Sequence, residues 1–295
     1  MINGSFGTIS YLKQNSSITF TNISLENLNT EQQGGLVYAD SQQQNGIPYI
    51  PQNITLKGDI ILQNITVSGA GGVIYIDGQD ISLMTSEANI TATNLQSLNS
   101  SAFIYANTTQ NITFNYLQID GVVCSNGGCV LEAPASKFIN VTNSMINCIN
   151  ESYNQDPNYE YSDYTLSYAY SSSDQSSFRG SALYLQNSEI YSAFNQFSNC
   201  TIAFQGGIFQ IKDSNLTDVN STYMQNSAFK GGAIFAFESN VTLHNASFDT
   251  HFAYHGGSIF ILESGLITFH NLFVNVSFSY KNGAFLCLET IEVEN

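Results

Sequence analysis

Ala203-Phe204-Gln205-Gly206-Gly207, Ala228-Phe229-Lys230-Gly231-Gly232 and Ala253-Tyr254-His255-Gly256-Gly257 repeat one pattern at intervals of 25 residues. Ser177-Phe178-Arg179-Gly180-Ser181 precedes the series by 26 residues, and Ser279-Tyr280-Lys281-Asn282-Gly283 follows it by 26. Looser copies carry small residues at Gly34-Gly35, Gly71-Gly72, Ser100-Ser101 and Gly127-Gly128, with Gly7 marking one more. About ten units of 25–27 residues thus cover nearly the whole 295-residue chain. A period in this range signals a repeat architecture.

After each small pair comes a short apolar run. Ile9, Val37, Ile74, Phe103, Val130, Leu183, Phe209, Ile234, Ile259 and Phe285 form one column. Two residues on stand Tyr11, Ala39, Ile76, Tyr105, Glu132, Leu185, Ile211, Ala236, Ile261 and Cys287. Alternation at period two predicts a strand with both columns facing inward. The residue between them then faces outward: Tyr38, Tyr75, Ile104, Leu131, Tyr184, Phe235, Phe260 and Leu286, with Ser10 and Gln210 as polar exceptions. Helical periodicity is absent, and Gly and Asn recur where tight turns need positive φ.

A unit this short cannot bury its own apolar face. Stacked as coils, each strand pairs with its equivalent about 4.8 Å away, so ten coils make a rod about 48 Å long. The expectation is an all-β, right-handed parallel β-helix, the hand that parallel crossovers favour. A β-propeller would need two repeats per blade. Residues 1–295 are expected to form one solenoid, with 41–51 and 151–176 inserted as loops because they lack the coil pattern. The chain stops part-way through a coil, which predicts a piece of a longer protein.

Composition narrows the function. Asp plus Glu number 23 against 7 Lys plus Arg, a net charge of −16, which excludes nucleic acid as a partner. Only 10% of residues are charged. The polar share is instead 33 Asn, 36 Ser and 21 Thr, suited to turns and strand faces. No apolar run approaches the length of a membrane span, so any anchoring is assigned to sequence outside this segment.

Gly231-Gly232-Ala233-Ile234 resembles the G-G-A-[ILV] motif of the polymorphic outer-membrane protein repeats, and Phe197-Ser198-Asn199-Cys200 is similar to their F-x-x-N motif. The resemblance is good from about residue 177 onward. It implies a right-handed, pectin-lyase-like β-helix displayed on a cell surface or secreted, acting in adhesion or as a structural rod. The Asn- and Gln-rich composition points towards a protist.

Candidate sites emerge from the columns. Seventeen Asn open an Asn-x-Ser/Thr triplet where chance gives about six, as for a secreted glycoprotein; Asn22, Asn53, Asn64, Asn111, Asn140 and Asn275 represent them. Coil alternation itself writes the same triplets. Cys148 and Cys200 share one coil phase on either side of the second insertion, which puts them within disulfide range if their coils are neighbours; the alternative is two stacked thiols. Cys124 and Cys129 bracket four residues and could close locally. Asp213, Glu238, Glu263 and Glu289 form an acidic column, read as solvated turns or a calcium ladder; no other cofactor is implied. Arg179, Lys230, His255 and Lys281 form a positive strip that either reads acidic glycans or covers the adjacent aromatics. The outward stripe of Tyr38, Tyr75, Tyr184, Phe235 and Phe260 offers a platform for glycans or another surface protein.

Catalysis is not expected. Pectin lyases need an Arg or Lys base beside calcium carboxylates, and hydrolases need paired Asp across a cleft. The only Arg here, Arg179, sits in a repeated turn, and the carboxylates keep the repeat register. A polysaccharide-processing enzyme acting on acidic glycans is the alternative reading.

Overall fold

A computed structural model describes residues 10–12, 16–30, 33–40, 52–79, 81–97, 101–124, 127–148, 181–201, 203–263 and 265–290. Thirty β-strands and no helix occupy these residues. Each strand pairs in parallel with its counterpart one repeat along, and the whole stacks as a β-solenoid of three sheets.

One repeat explains the rest. Ile234–Phe237 lies in a ten-stranded sheet, Asn240–His244 and Ser247–Asp249 in a sixteen-stranded sheet, and His251–His255 in a four-stranded sheet. The corners between them are single left-handed residues: Glu238 (φ 49°), Asn245 (φ 51°), Thr250 (φ 56°) and Gly256 (φ 61°). One such residue redirects the chain without a helical turn, and Asn and Gly tolerate it best. Gly231 needs its missing Cβ as well as its φ of 64°, because that atom would fall 2.0 Å from the Ile234 carbonyl oxygen.

Asparagines at the corners bind their successors. Asn271 Nδ2 donates to Asn245 Oδ1 and Asn245 Nδ2 to Asn220 Oδ1, both at 3.0 Å. Asn94 to Asn64 (2.9 Å) and Asn64 to Asn27 (3.1 Å) form a second ladder. Each amide thereby continues the backbone ladder through its side chain. Inside, Ile234, Ala236, Val241, Leu243 and Phe248 are buried in one continuous core, along which Phe197, Tyr223 and Phe248 stack at 5.3 and 4.6 Å.

The ladder is continuous across the second predicted insertion. Phe138–Thr142 pairs with Glu189–Ala193, and Met145–Asn147 with Gln196–Ser198. Both predicted insertions, 41–51 and 151–176, lie outside the described residues.

Four repeats shift by one residue from the sequence alignment. Ser10 pairs with Val37, Ile104 with both Ile74 and Leu131, and Leu286 with Ile259. Ile104 and Leu131 are therefore buried in the core and Leu286 packs against it, while Tyr105, Glu132 and Cys287 take the outward register. Counted back from Ile74↔Ile104 and Ile259↔Leu286, Gly71 lies opposite Ser101 and Gly256 opposite Gly283; the three glycines are left-handed. The true counterparts of Gly71-Gly72 and Gly256-Gly257 are accordingly Ser101-Ala102 and Gly283-Ala284. In Gly128–Ala133 a bulge adds one residue before Leu131, which flips Leu131 and its successors to the other face.

Candidate functional site

The outward column of the ten-stranded sheet divides into two chemistries. Tyr38, Tyr75 and Tyr105 are half-buried and stack at 4.9 and 5.0 Å, nearly parallel; register then places Glu132 and Tyr184. Stacking turns each ring's faces towards its neighbours, leaving edges and hydroxyls rather than the flat platform expected. Burial, reinforced by Asp77, raises the Tyr75 phenol; burial and then Glu132 raise Tyr105 and Tyr184. These remain hydrogen-bond donors, as Tyr184 Oη does to Gln186 Oε1 at 3.3 Å.

Phe235 and Phe260 correct the platform expectation outright. They are 4% and 0% exposed and form a second small core with Cys287, flanked by Phe237 and Leu262. Lys230 Nζ lies 4.7 Å over the Phe260 ring, and His255 meets it edge-on at 6.3 Å. Two apolar rings in adjacent repeats gain more by burying each other under long cationic side chains than by facing water.

The positive strip is also shorter than its sequence phase. Gln205, Lys230 and His255 share register, but the next position is Asn282, whose Nδ2 faces His255 Nδ1 at 3.4 Å. Lys281 is displaced by the bulge before it and places Nζ 4.9 Å over Tyr254. Burial, then Lys230 and Lys281, lower the His255 pKa against the pull of Glu289. Arg179 lies outside the described residues.

Asp213, Glu238 and Glu263 occupy successive corners at φ 49°, 49° and 52°. Glu289 does not join them; it pairs with Leu262, one residue earlier in the repeat. Beneath the column, Ser214 Oγ accepts from Ser188 N and Ser239 Oγ from Ser214 N, each at 3.1 Å. The adjacent Asp213 carboxyl is the main cause of a raised Glu238 pKa. Among the described residues, no group of three or more His, Cys, Asp or Glu is arranged to hold a metal ion.

Both cysteine pairs raised by the sequence are closed, the disulfide rather than stacked thiols at Cys148 and Cys200. Cys148 and Cys200 are bonded, with Cα atoms 4.8 Å apart, and Cys124 is bonded to Cys129 at 5.1 Å. Cys287 is a buried thiol. Of the representative sequons, Asn22, Asn53, Asn64 and Asn275 are exposed, while Asn111 and Asn140 are half-buried. Others are ladder members: Asn240 Nδ2 donates to Asn215 Oδ1 at 2.7 Å.

Two features escape the sequence reading. Asp218, Tyr223 and His251 form a buried polar group inside the solenoid. Ser221 Oγ donates to Asp218 Oδ1 at 2.7 Å, and His251 Nε2 lies 3.2 Å from the Tyr223 carbonyl oxygen. Burial raises Asp218 despite hydrogen bonds from Ser192 and Ser221, and burial lowers His251 to about 4. The second feature is on the outside of the sixteen-stranded sheet, where Tyr116, Phe138, Met145, Tyr191 and Phe194 are each 38–57% exposed. The available signal was an aromatic at a corner that other repeats give to Asn: Tyr116 and Phe194 fall in the column of Asn143, Asn220, Asn245 and Asn271.

No protein-family model, curated protein or solved structure matches the chain. The functional reading therefore rests on its surface and its repeat.

Proposed function

We propose that this chain is secreted or displayed on a cell surface, and that its right-handed parallel β-helix, about ten coils long, is a non-enzymatic scaffold for adhesion. The carrying observation is that candidate chemical groups are absorbed into the repeat. Asp213, Glu238 and Glu263 are left-handed corners, and Tyr38, Tyr75 and Tyr105 are a stacked ladder. Such columns stiffen a rod and present one surface many times. Ten strands in the first sheet support the coil count. The G-G-A-I and F-S-N-C sequences support membership of the polymorphic outer-membrane protein-like repeats. Two disulfides support an oxidising compartment.

The partners are glycans or other surface proteins. Beads coated with the purified chain should adhere to cells or matrix. Incubation with polygalacturonate should release neither unsaturated products nor reducing ends. Absence of adhesion together with release of either product would replace the scaffold by the polysaccharide-processing enzyme.

A further inference from the structure

We infer that the exposed surface formed by Tyr116, Phe138, Met145, Tyr191 and Phe194 binds an uncharged oligosaccharide, a ligand class that rests on the adhesive reading above. The residues are contiguous by register. Tyr116, Asn143 and Phe194 are successive corners, joined through Tyr116 N to Thr142 O and Asn143 N to Ala193 O. Asn140 pairs with Tyr191 and Phe138 with Glu189, so Phe138 and Tyr191 are diagonal neighbours on one face. Met145 stands on the strand just past the corner, beside Gln196.

Backbone strain singles out the two corners. Tyr116 and Phe194 hold φ of 59° and 57°, a region that bulky side chains rarely enter. In the same column Asn143, Asn220, Asn245 and Asn271 hold nearly the same φ with a residue suited to it. Burial does not compensate, since Tyr116 is 56% and Phe194 57% exposed. A strained, exposed aromatic where four repeats use Asn serves something other than the fold.

The surroundings select the ligand. Unlike Tyr38 and Tyr75, no ring contact joins Tyr116, Tyr191 or Phe194 to another described aromatic, so their faces are open to sugar C–H faces. Between the rings stand uncharged donors and acceptors, Asn111, Thr113, Asn140, Asn143, Gln118 and Gln196, which match hydroxyls. Three charges adjoin the rings and do not make one sign: Lys137, whose Nζ lies 5.2 Å over Phe138, Glu189, which pairs with Phe138, and Asp120, which pairs with Asn147 two residues past Met145. The chain's −16 charge repels acidic glycans. Repeats recur about every 4.8 Å, close to the length of one pyranose unit.

The test uses the purified chain, Tyr116→Asn/Phe194→Asn, and arrays of glucose, mannose and N-acetylglucosamine oligomers. At least one oligomer class should bind, and the double variant should weaken it at least tenfold while melting at a higher temperature than the parent. A loss of binding with a lower melting temperature is met by Tyr191→Ala, which leaves both corners intact and should weaken the same oligomer. No binding of any uncharged oligomer, or undiminished binding by both variants, overturns the site. A concentration-dependent oligomer abolished by the double variant overturns it too, in favour of a protein interface. Bead adhesion, run in parallel, separates the readings: adhesion retained by both variants removes this site alone, while its absence in the parent removes the adhesive reading.

Discussion

His251 is a single imidazole carried inside an apolar solenoid, and its burial alters how the whole chain responds to acid. Its pKa is held at about 4 against an ordinary 6.5. Below pH 6.5 the unfolded chain therefore takes a proton that the folded chain refuses. Stability falls as pH drops from 6.5 to about 4, by about 3 kcal/mol for this group. Asp218 has the opposite sign. Its pKa is raised above the ordinary 3.8, so the stability it contributes is full below that value and is lost as pH rises through the folded one. In urea titrations from pH 4 to 7, His251→Asn should gain stability relative to the parent progressively towards pH 4, and Asp218→Asn should gain stability at pH 7. Unchanged slopes would place both groups in water. The corner aromatics give a residue-scale prediction of the same kind. Tyr116→Asn and Phe194→Asn relieve left-handed strain worth about 1 kcal/mol each, measurable as separate increases in denaturation midpoint. A decrease in either would mean that the rings support the fold.

At the scale of the element, the disulfide between Cys148 and Cys200 closes a loop with a sequence separation of 52 next to the directly paired strands Met145–Asn147 and Gln196–Ser198. On the chain-entropy model such closure stabilises by about 4 kcal/mol. Cys148→Ser/Cys200→Ser should lose roughly that much, and peptide mapping under non-reducing conditions should recover Cys148 linked to Cys200 in the parent. A freely alkylated Cys148 would refute the pairing. This bond was legible because Asn147-Cys148 and Asn199-Cys200 share a phase that only stacked coils bring together. Strand faces were legible wherever a lone Gly pair fixed the phase, as at Gly206, Gly231 and Gly256. They were lost where no Gly pair marks the corner, at Ser100-Ser101-Ala102 and Asn282-Gly283-Ala284, because the small residues there fit the pattern in either of two registers. The bulge before Leu131 writes no signal at all. The exposed aromatic surface was illegible for another reason: its members come from a strand centre, a corner and the next strand, and no one column contains them.

Across the whole molecule, 23 carboxylates stand against 7 Lys and Arg, and the described residues contain one ion pair, Lys57 with Glu87 at 2.7 Å. The other described lysines sit over rings, Lys137 over Phe138, Lys212 over Phe237, Lys230 over Phe260 and Lys281 over Tyr254, and so few cations offset little of the acidic field. The field acts against the folded rod because stacking brings like charges within a repeat spacing, as at Asp213, Glu238 and Glu263, whereas the unfolded chain spreads them. Added salt should therefore stabilise. Raising sodium chloride from 0.01 to 0.15 M shortens the screening length from about 30 to about 8 Å, and the melting temperature should rise by a few degrees at pH 7. The rise should vanish near the sequence pI of about 4.2, where the net charge is gone. Calcium distinguishes screening from a bound ion. At equal ionic strength calcium chloride should act much as sodium chloride does if the acidic corners are solvated turns. A further rise that saturates at low millimolar calcium, and is lost in Glu238→Gln, would instead place a cation in the acidic column.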